Sequence, residues 1–129
     1  MEFHHIGIAC TDIEKETRYH ALLGYSAESS DFIDQAQGVR GRFLTGGGPR
    51  LELLSPLDGS NTLAPWIEAG TRMYHQAYTT CDIDRKVEEL QSQRARLMVA
   101  PIPAVAFGGR RICFLMLPTM SLIELIQAE

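Results

Sequence analysis

Two histidines and two glutamates are spaced so that they could hold one cation together. His5 lies in FHHIGIACTDIEK and His75 in MYHQAYTTCDIDR, and in both stretches an Asp-Ile-acid triplet begins seven residues after the histidine. Glu52 lies between leucines in LELL, and Glu124 lies between isoleucine and leucine in IELI. Imidazole nitrogen and carboxylate oxygen are common ligands of divalent metals. The four side chains are therefore candidate metal ligands.

The positions of these residues follow an internal repeat. The histidines are 70 residues apart and the glutamates 72, so the similarity extends through a whole structural unit. A single histidine or glutamate in a strand is more often structural or solvent-facing than a ligand. A carboxylate in so apolar a strand costs free energy unless it is paired or bound to a cation, and all four residues lie at equivalent positions. The joint pattern favours a metal site.

The first copy of the repeat predicts a strand followed by a helix. Residues 3–10 alternate between two faces with the period of a half-buried strand. Thr11-Asp12-Ile13-Glu14 has the form of a capping box, and Gly24 is placed to end the helix. Ile13, Leu22 and Leu23 are its predicted apolar anchors.

The second copy repeats this order. Asp82 is the predicted helix cap, and Ile83, Val87 and Leu90 recur at helical spacing. Hairpins are predicted for 41–54, around a Thr-Gly-Gly-Gly-Pro turn, and for 111–126. These elements predict one α+β domain over 1–129, with module one at about 1–57, a linker at 58–72 and module two at about 73–129. The linker should form a short helical turn around 64–69 that ends at Gly70, with Trp66 as a core residue.

Composition excludes several classes of partner. The net charge is −4 without a basic block, which argues against nucleic acid and anionic membranes as partners. No apolar run is long enough for a membrane span. Cys10, Cys81 and Cys113 form no C-x-x-C pair, and we expect reduced, buried thiols in a cytoplasmic protein.

Other chemistry-bearing residues carry weaker signals. His4 alternates to the face opposite His5 and should be structural, and His20 should lie on a helix surface or pack there. The three glycines at 46–48 lack the spacing of a phosphate-binding loop, so a hairpin turn is favoured. Arg110 and Arg111 follow Gly108-Gly109, where a surface turn is favoured over an anion clamp.

In the order of these motifs, the chain resembles the vicinal oxygen chelate superfamily, which includes glyoxalase I, methylmalonyl-CoA epimerase, extradiol dioxygenases and antibiotic-resistance proteins. The similarity is strongest to the epimerase branch, in HHIGIACTDIEK, QGVR, LELLSPLDGSN, AFGGRRICFL and LIEL. The resemblance implies two tandem βαβββ modules that form a cupped mixed sheet around one divalent ion, Ni, Co, Mn, Zn or Mg. It assigns His5, Glu52, His75 and Glu124 as the ligands.

The resemblance also implies a metal-dependent isomerase or lyase that transfers a proton alpha to a carbonyl or thioester, and it implies a homodimer. Its substrate would be a small molecule: an acyl-CoA, a hemithioacetal or another enolisable carbonyl compound. Glu124, with Glu52, is the expected catalytic carboxylate. Epimerases of this branch carry Glu before QGV where this chain has Ala36, and Asp34 could substitute if the loop shifted. The alternative is a non-catalytic ligand-binding or antibiotic-resistance-type protein of the same fold.

Overall fold

Nine strands and three α-helices make up the chain. The computed structural model describes all residues 1–129, which divide into an N-terminal unit, residues 5–74, and a C-terminal unit, residues 1–4 and 75–129. The α+β class predicted from the sequence is confirmed. The elements are β1 (Glu2–Ala9), α1 (Ile13–Ala21), β2 (Ser26–Ala27), β3 (Phe32–Asp34), β4 (Val39–Thr45), β5 (Leu51–Pro56), α2 (Ala64–Ala69), β6 (Met73–Thr80), α3 (Ile83–Ser92), β7 (Arg96–Pro103), a 3-10 turn (Val105–Phe107), β8 (Arg111–Met116) and β9 (Leu122–Gln127).

In the N-terminal unit, β5 lies between β1 and β4. It runs parallel to β1 and antiparallel to β4, which also pairs with β2 and β3. Ile13 of α1 packs against Leu51 and Leu53 of β5, as the alternation of that strand predicts. Glu52 lies between these two leucines, so its side chain is on the other face of the strand.

Helix α1 differs from its prediction at both ends. Its N-cap is Asp12 rather than Thr11, because the Asp12 carboxylate accepts a hydrogen bond of 3.0 Å from the Lys15 amide. The helix stops at Ala21, and Leu22 and Leu23 are 82% and 66% exposed. Their prediction as buried anchors is wrong, because the chain leaves the helix before either side chain can turn toward the sheet. Ile13 is the one buried residue of α1.

In the C-terminal unit, β9 lies between β6 and β8, and β7 is at the edge. Strand β9 runs parallel to β6 and antiparallel to β8, and β8 runs antiparallel to β7. Asp82 caps α3 as predicted, and Ile83 and Val87 pack with Leu90 in the core of this unit. The sequence does not predict β7 as a separate strand. Its two prolines have no N–H to donate to a hydrogen-bond ladder. They are compatible with β7 because it is an edge strand, and its pairing with β8 contains register shifts.

The segment before β6 forms the predicted short helix. Gly70 follows α2 with φ +74°, a left-handed conformation that suits glycine at a helix end. Trp66 packs against a buried cluster that contains Ala9, Leu54 and Leu63, which agrees with a core role. None of the three helices has the length and apolar character that crossing a bilayer requires.

The three cysteines are free, as predicted, and two of them are buried. Burial raises the pKa of the Cys10 and Cys113 thiols to about 11, so both are protonated at neutral pH. Cys81 is exposed, and its prediction as a buried thiol is wrong. It precedes the N-cap of α3, where the chain turns between a strand and a helix at the surface.

An ion-pair network joins α1 and β4 to Asp31, which lies just before β3. It is on the outer face of the N-terminal unit, which is the face that α1 covers. The Arg42 guanidinium donates hydrogen bonds of 2.6 Å and 2.7 Å to the carboxylates of Asp31 and Glu14. Arg40 also pairs with Asp31. These contacts, chiefly the hydrogen bond from Arg42, hold the pKa of the Asp31 carboxyl below its usual range. The network fixes the position of β4 relative to the helix.

We expect Asp31→Asn to lower the free energy of unfolding by about 1–2 kcal/mol at neutral pH, because the four charge-assisted hydrogen bonds that Arg40 and Arg42 donate to the carboxylate are weakened. Since the Asp31 pKa is lower in the folded state, this stability is present above the unfolded pKa of about 3.9 and is lost as pH falls through the folded value. Urea unfolding from about pH 6 down to about pH 2 measures it. The difference between wild type and variant should shrink with acid, and a constant difference would contradict the assignment.

Candidate metal centre

Strands β1 and β5 bring His5 and Glu52 together in the N-terminal unit. The parallel register pairs Gly7 with Glu52, and His5 lies two residues before Gly7 on the same face. The Nε2 atom of His5 and the Oε1 atom of Glu52 are 3.2 Å apart. Both residues are buried, with 0% and 4% of their surface exposed. The pair therefore lies in a low-dielectric environment, where an ionised carboxylate needs a cationic or donor partner.

Strands β6 and β9 repeat this arrangement in the C-terminal unit. Ala77 is the register partner of Glu124, and His75 lies two residues before Ala77 on the same face. The Nε2 atom of His75 and the Oε1 atom of Glu124 are 3.3 Å apart, and both residues are buried. The internal repeat has therefore produced two histidine–carboxylate pairs with nearly the same geometry.

The separation of donor atoms in each pair suits two ligands of one ion. Atoms that each lie about 2.1 Å from a metal are about 3.0 Å apart at an angle of 90° and about 3.4 Å apart at the tetrahedral angle. The observed separations of 3.2 Å and 3.3 Å lie between these values. Two imidazole nitrogens and two carboxylate oxygens form a mixed set that divalent transition metals accept. His5, Glu52, His75 and Glu124 each offer one ligand atom, and this buried group could hold a metal ion.

Each histidine also has an aromatic neighbour that the sequence analysis missed. Phe43 meets His5 edge to face, with ring centroids 5.5 Å apart, and Phe114 meets His75 in the same way at 5.2 Å. Phe43 is the cross-strand partner of Glu52, and Phe114 is that of Glu124. The signal was present in the sequence, because Phe-Leu occurs in GRFL and again in ICFL. These rings shield each pair from solvent and restrict the orientation of its imidazole.

A third buried carboxylate lies on the ligand face of the N-terminal unit. Asp34 is 2% exposed and pairs across the strands with Val39, which lies on the same face of β4 as Phe43 and therefore of Glu52. The Asp34 carboxylate accepts hydrogen bonds from the Gln37 amide at 3.1 Å and from the Gln37 side chain at 2.8 Å. Ala36 lies in the exposed turn that follows. Asp34 thus reaches this face without a shift of the loop.

The remaining sequence candidates lie outside the two pairs. His4 meets Phe107 edge to face with ring centroids 5.3 Å apart, which agrees with a structural role. His20 is half-buried on α1, with its Nδ1 atom 2.8 Å from the Glu16 carbonyl oxygen. Residues 46–48 form the hairpin turn between β4 and β5, as predicted.

A family model described as Glyoxalase/Bleomycin resistance protein/Dioxygenase superfamily matches residues 4–114. A search of curated proteins found no significant match.

Solved structures with the same fold cover nearly the whole chain. Methylmalonyl-CoA epimerase from Mycobacterium tuberculosis is 28% identical, with a TM-score of 0.81 over 99% of this chain and 88% of its own. The Streptomyces coelicolor methylmalonyl-CoA epimerase, in complex with 2-nitronate-propionyl-CoA, is 27% identical, with a TM-score of 0.79 over 99% and 97% of the two chains. A hypothetical protein from Bacillus halodurans is 25% identical, with a TM-score of 0.83 over 99% and 94%.

Proposed function

Because the chain belongs to the glyoxalase/bleomycin resistance protein/dioxygenase superfamily, we propose that it is a metal-dependent enzyme that moves a proton on the carbon next to a carbonyl or thioester group. The observation that carries this proposal is the pair of buried histidine–carboxylate contacts at 3.2 Å and 3.3 Å. A protein that only enclosed an apolar ligand would gain nothing from burying four ionisable side chains.

In the proposed site His5, Glu52, His75 and Glu124 hold one divalent ion. When bound, the ion supplies Lewis acidity toward a carbonyl oxygen, which makes the neighbouring carbon more acidic. Glu124 accepts the proton from that carbon, because a buried carboxylate with a fixed orientation is suited to general base catalysis. Phe43 and Phe114 limit the access of water to the reacting atoms.

Acyl-CoA thioesters are the first substrate class to test. The solved structures with this fold include methylmalonyl-CoA epimerases, among them the Streptomyces coelicolor protein in complex with 2-nitronate-propionyl-CoA. We propose that the chain acts on a 2-branched acyl thioester, with a hemithioacetal as the second candidate. Incubation of the metal-loaded protein with 2-methyl-branched acyl-CoA in D2O should give metal-dependent exchange of the alpha proton. NMR measures the rate of this exchange. Absence of exchange with thioesters and hemithioacetals alike would contradict the proposal.

Asp34 is the proposed second acid/base group. Inversion at carbon needs one group to remove a proton and another to return it on the opposite face, and Ala36 supplies no carboxylate. Asp34→Asn is expected to slow inversion about a hundredfold while alpha-proton exchange continues with retention. Chiral analysis of the recovered thioester, beside NMR exchange rates, separates the two events. Gln37→Ala, which leaves the Asp34 carboxylate in place, is the control.

If Asp34→Asn inverts the substrate as fast as wild type, Asp34 has no part in the reaction. The alternative function, a non-catalytic ligand-binding or antibiotic-resistance-type protein, is favoured only by the alanine at position 36. It predicts stoichiometric binding of a ligand without alpha-proton exchange.

A further inference from the structure

Arg110 differs from the other partly buried arginines in its partners. Five arginines are partly buried, and four of them form ion pairs with carboxylates: Arg40 and Arg42 with Asp31, Arg50 with Glu28, and Arg111 with Asp84. Arg110 makes no such pair and contacts main-chain oxygens and an aromatic ring instead. A guanidinium that is partly removed from water without an anion is unusual, because its charge is only partly compensated.

The contacts of Arg110 fix its orientation and leave donors available. Its Nε atom donates to the Phe107 carbonyl at 3.2 Å, and its Nη1 atom donates to the Gln127 carbonyl at 3.0 Å. Its Cζ atom lies 6.0 Å from the centre of the Phe107 ring. A guanidinium has five N–H donors, so three remain, including both on Nη2. Such a fork is already oriented for the two oxygens of a carboxylate or phosphate.

The strand register places Arg110 on the face that carries the C-terminal histidine–carboxylate pair. Phe114 is the cross-strand partner of Glu124, and Ile112 that of Ile126. Arg110 lies one residue before β8, and its carbonyl oxygen accepts a hydrogen bond of 3.0 Å from the Ala104 amide, so the extended chain and its alternation continue to it. Its neighbour Arg111 pairs with Asp84 of α3 on the other face. Four residues of strand separate Arg110 from Phe114, a distance of about 14 Å between Cα atoms.

From these observations we infer that Arg110 binds an anionic group of the substrate, a carboxylate or a phosphate, at a distance on the order of 10 Å from Glu124. The inference rests on the proposed function, since it takes the reacting carbon to lie beside Glu124. Arg110 is then a specificity residue: it selects molecules in which an enolisable carbonyl and an anion are separated by an extended chain. A carrier phosphate or a carboxylate at the far end of the acyl group meets this requirement.

A purely structural role for Arg110 makes a different prediction. Its two carbonyl contacts hold the 3-10 turn against the end of β9, so its removal would lower the melting temperature. That role would weaken the binding of charged and uncharged ligands equally. Discrimination between them therefore separates the two roles.

The test uses metal-loaded wild type, Arg110→Gln and, as the matched control, Arg111→Gln. Calorimetry measures binding of propionyl-CoA, succinyl-CoA, propionyl-pantetheine and succinyl-pantetheine, which vary the carboxylate and the phosphates independently. We expect Arg110→Gln to weaken at least one anionic probe by about 10- to 100-fold and to leave propionyl-pantetheine unchanged. Loss with succinyl-pantetheine identifies a carboxylate, and loss with propionyl-CoA identifies a phosphate. Arg111→Gln should change neither.

Equal weakening of all probes, or no weakening of any, would overturn the inference. A second measurement does not depend on the reaction. NMR follows the side-chain N–H signals of Arg110 during titration with succinate and with inorganic phosphate. These signals are assigned by their loss in Arg110→Gln. A shift of the Arg110 signals in wild type with either anion supports an anion site even if no thioester binds, and no shift with either anion overturns it in that case. Failure of the proposed function appears separately, as absence of alpha-proton exchange in wild type.

Discussion

Glu124→Gln is expected to slow metal-dependent exchange of the substrate alpha proton by about a thousandfold. Glutamine is nearly isosteric with glutamate and keeps an oxygen that can face an ion, but its amide does not accept a proton at neutral pH. The residue is 3% exposed and lies 3.3 Å from Nε2 of His75, so water cannot easily replace the lost carboxylate. Single-turnover exchange in D2O, with the metal content measured for each sample, gives the rate per loaded site.

Glu52→Gln is the matched control, because Glu52 occupies the repeat-equivalent position with the same burial and the same contact to a histidine. If Glu124 is the base, Glu52→Gln should retain at least tenfold more activity per bound metal than Glu124→Gln. Equal losses in the two variants would mean that both carboxylates act through the metal alone. A Glu124→Gln protein with wild-type exchange would exclude Glu124 as the base.

The two buried carboxylates should lower stability in the absence of metal and allow metal to raise it. In metal-free protein, the burial of Glu52 and Glu124 costs free energy that no metal ion offsets, so Glu52→Gln/Glu124→Gln should be more stable than wild type by about 1–3 kcal/mol. With free metal at about a hundred times its dissociation constant, binding should stabilise wild type by about 2.7 kcal/mol. Urea unfolding with chelator and with added metal measures both quantities.

The same unfolding measurement on Asp31→Asn provides the control, since that substitution lies in the ion-pair network on the outer face and should leave the response to metal unchanged. A double variant that is less stable than wild type in chelator would mean that each carboxylate is already compensated by its histidine. Wild-type stability that ignores added metal would argue against a site at all.

The sequence was informative wherever a residue type recurred at an equivalent position. The repeat located both histidine–carboxylate pairs, and the alternation of LELL assigned Leu51 and Leu53 to the helix face. Helix α3 was predictable because its apolar residues recur at helical spacing. These signals are repetitions that the sequence itself contains, either of a whole unit or of apolar residues along one element.

The errors arose where the structure depends on contacts distant in sequence. Leu22 and Leu23 are apolar and follow a helix, yet the helix ends at Ala21 and both are exposed. Strand β7 contains two prolines, and its pairing with β8 outweighs their low strand propensity. The orientation of Arg110 depends on carbonyl groups of two separate segments, so its distinction from Arg111 emerged only in three dimensions.

Metal content per chain is the measurement that tests the central claim most directly. Elemental analysis of untagged wild type, His5→Ala and His75→Ala should give about one divalent ion per chain in wild type and almost none in either variant, because the proposed site needs ligands from both pairs. Each variant changes a different pair, so they test whether both pairs are needed. Wild type without metal after reconstitution, or a histidine variant that keeps a full ion, would contradict the account.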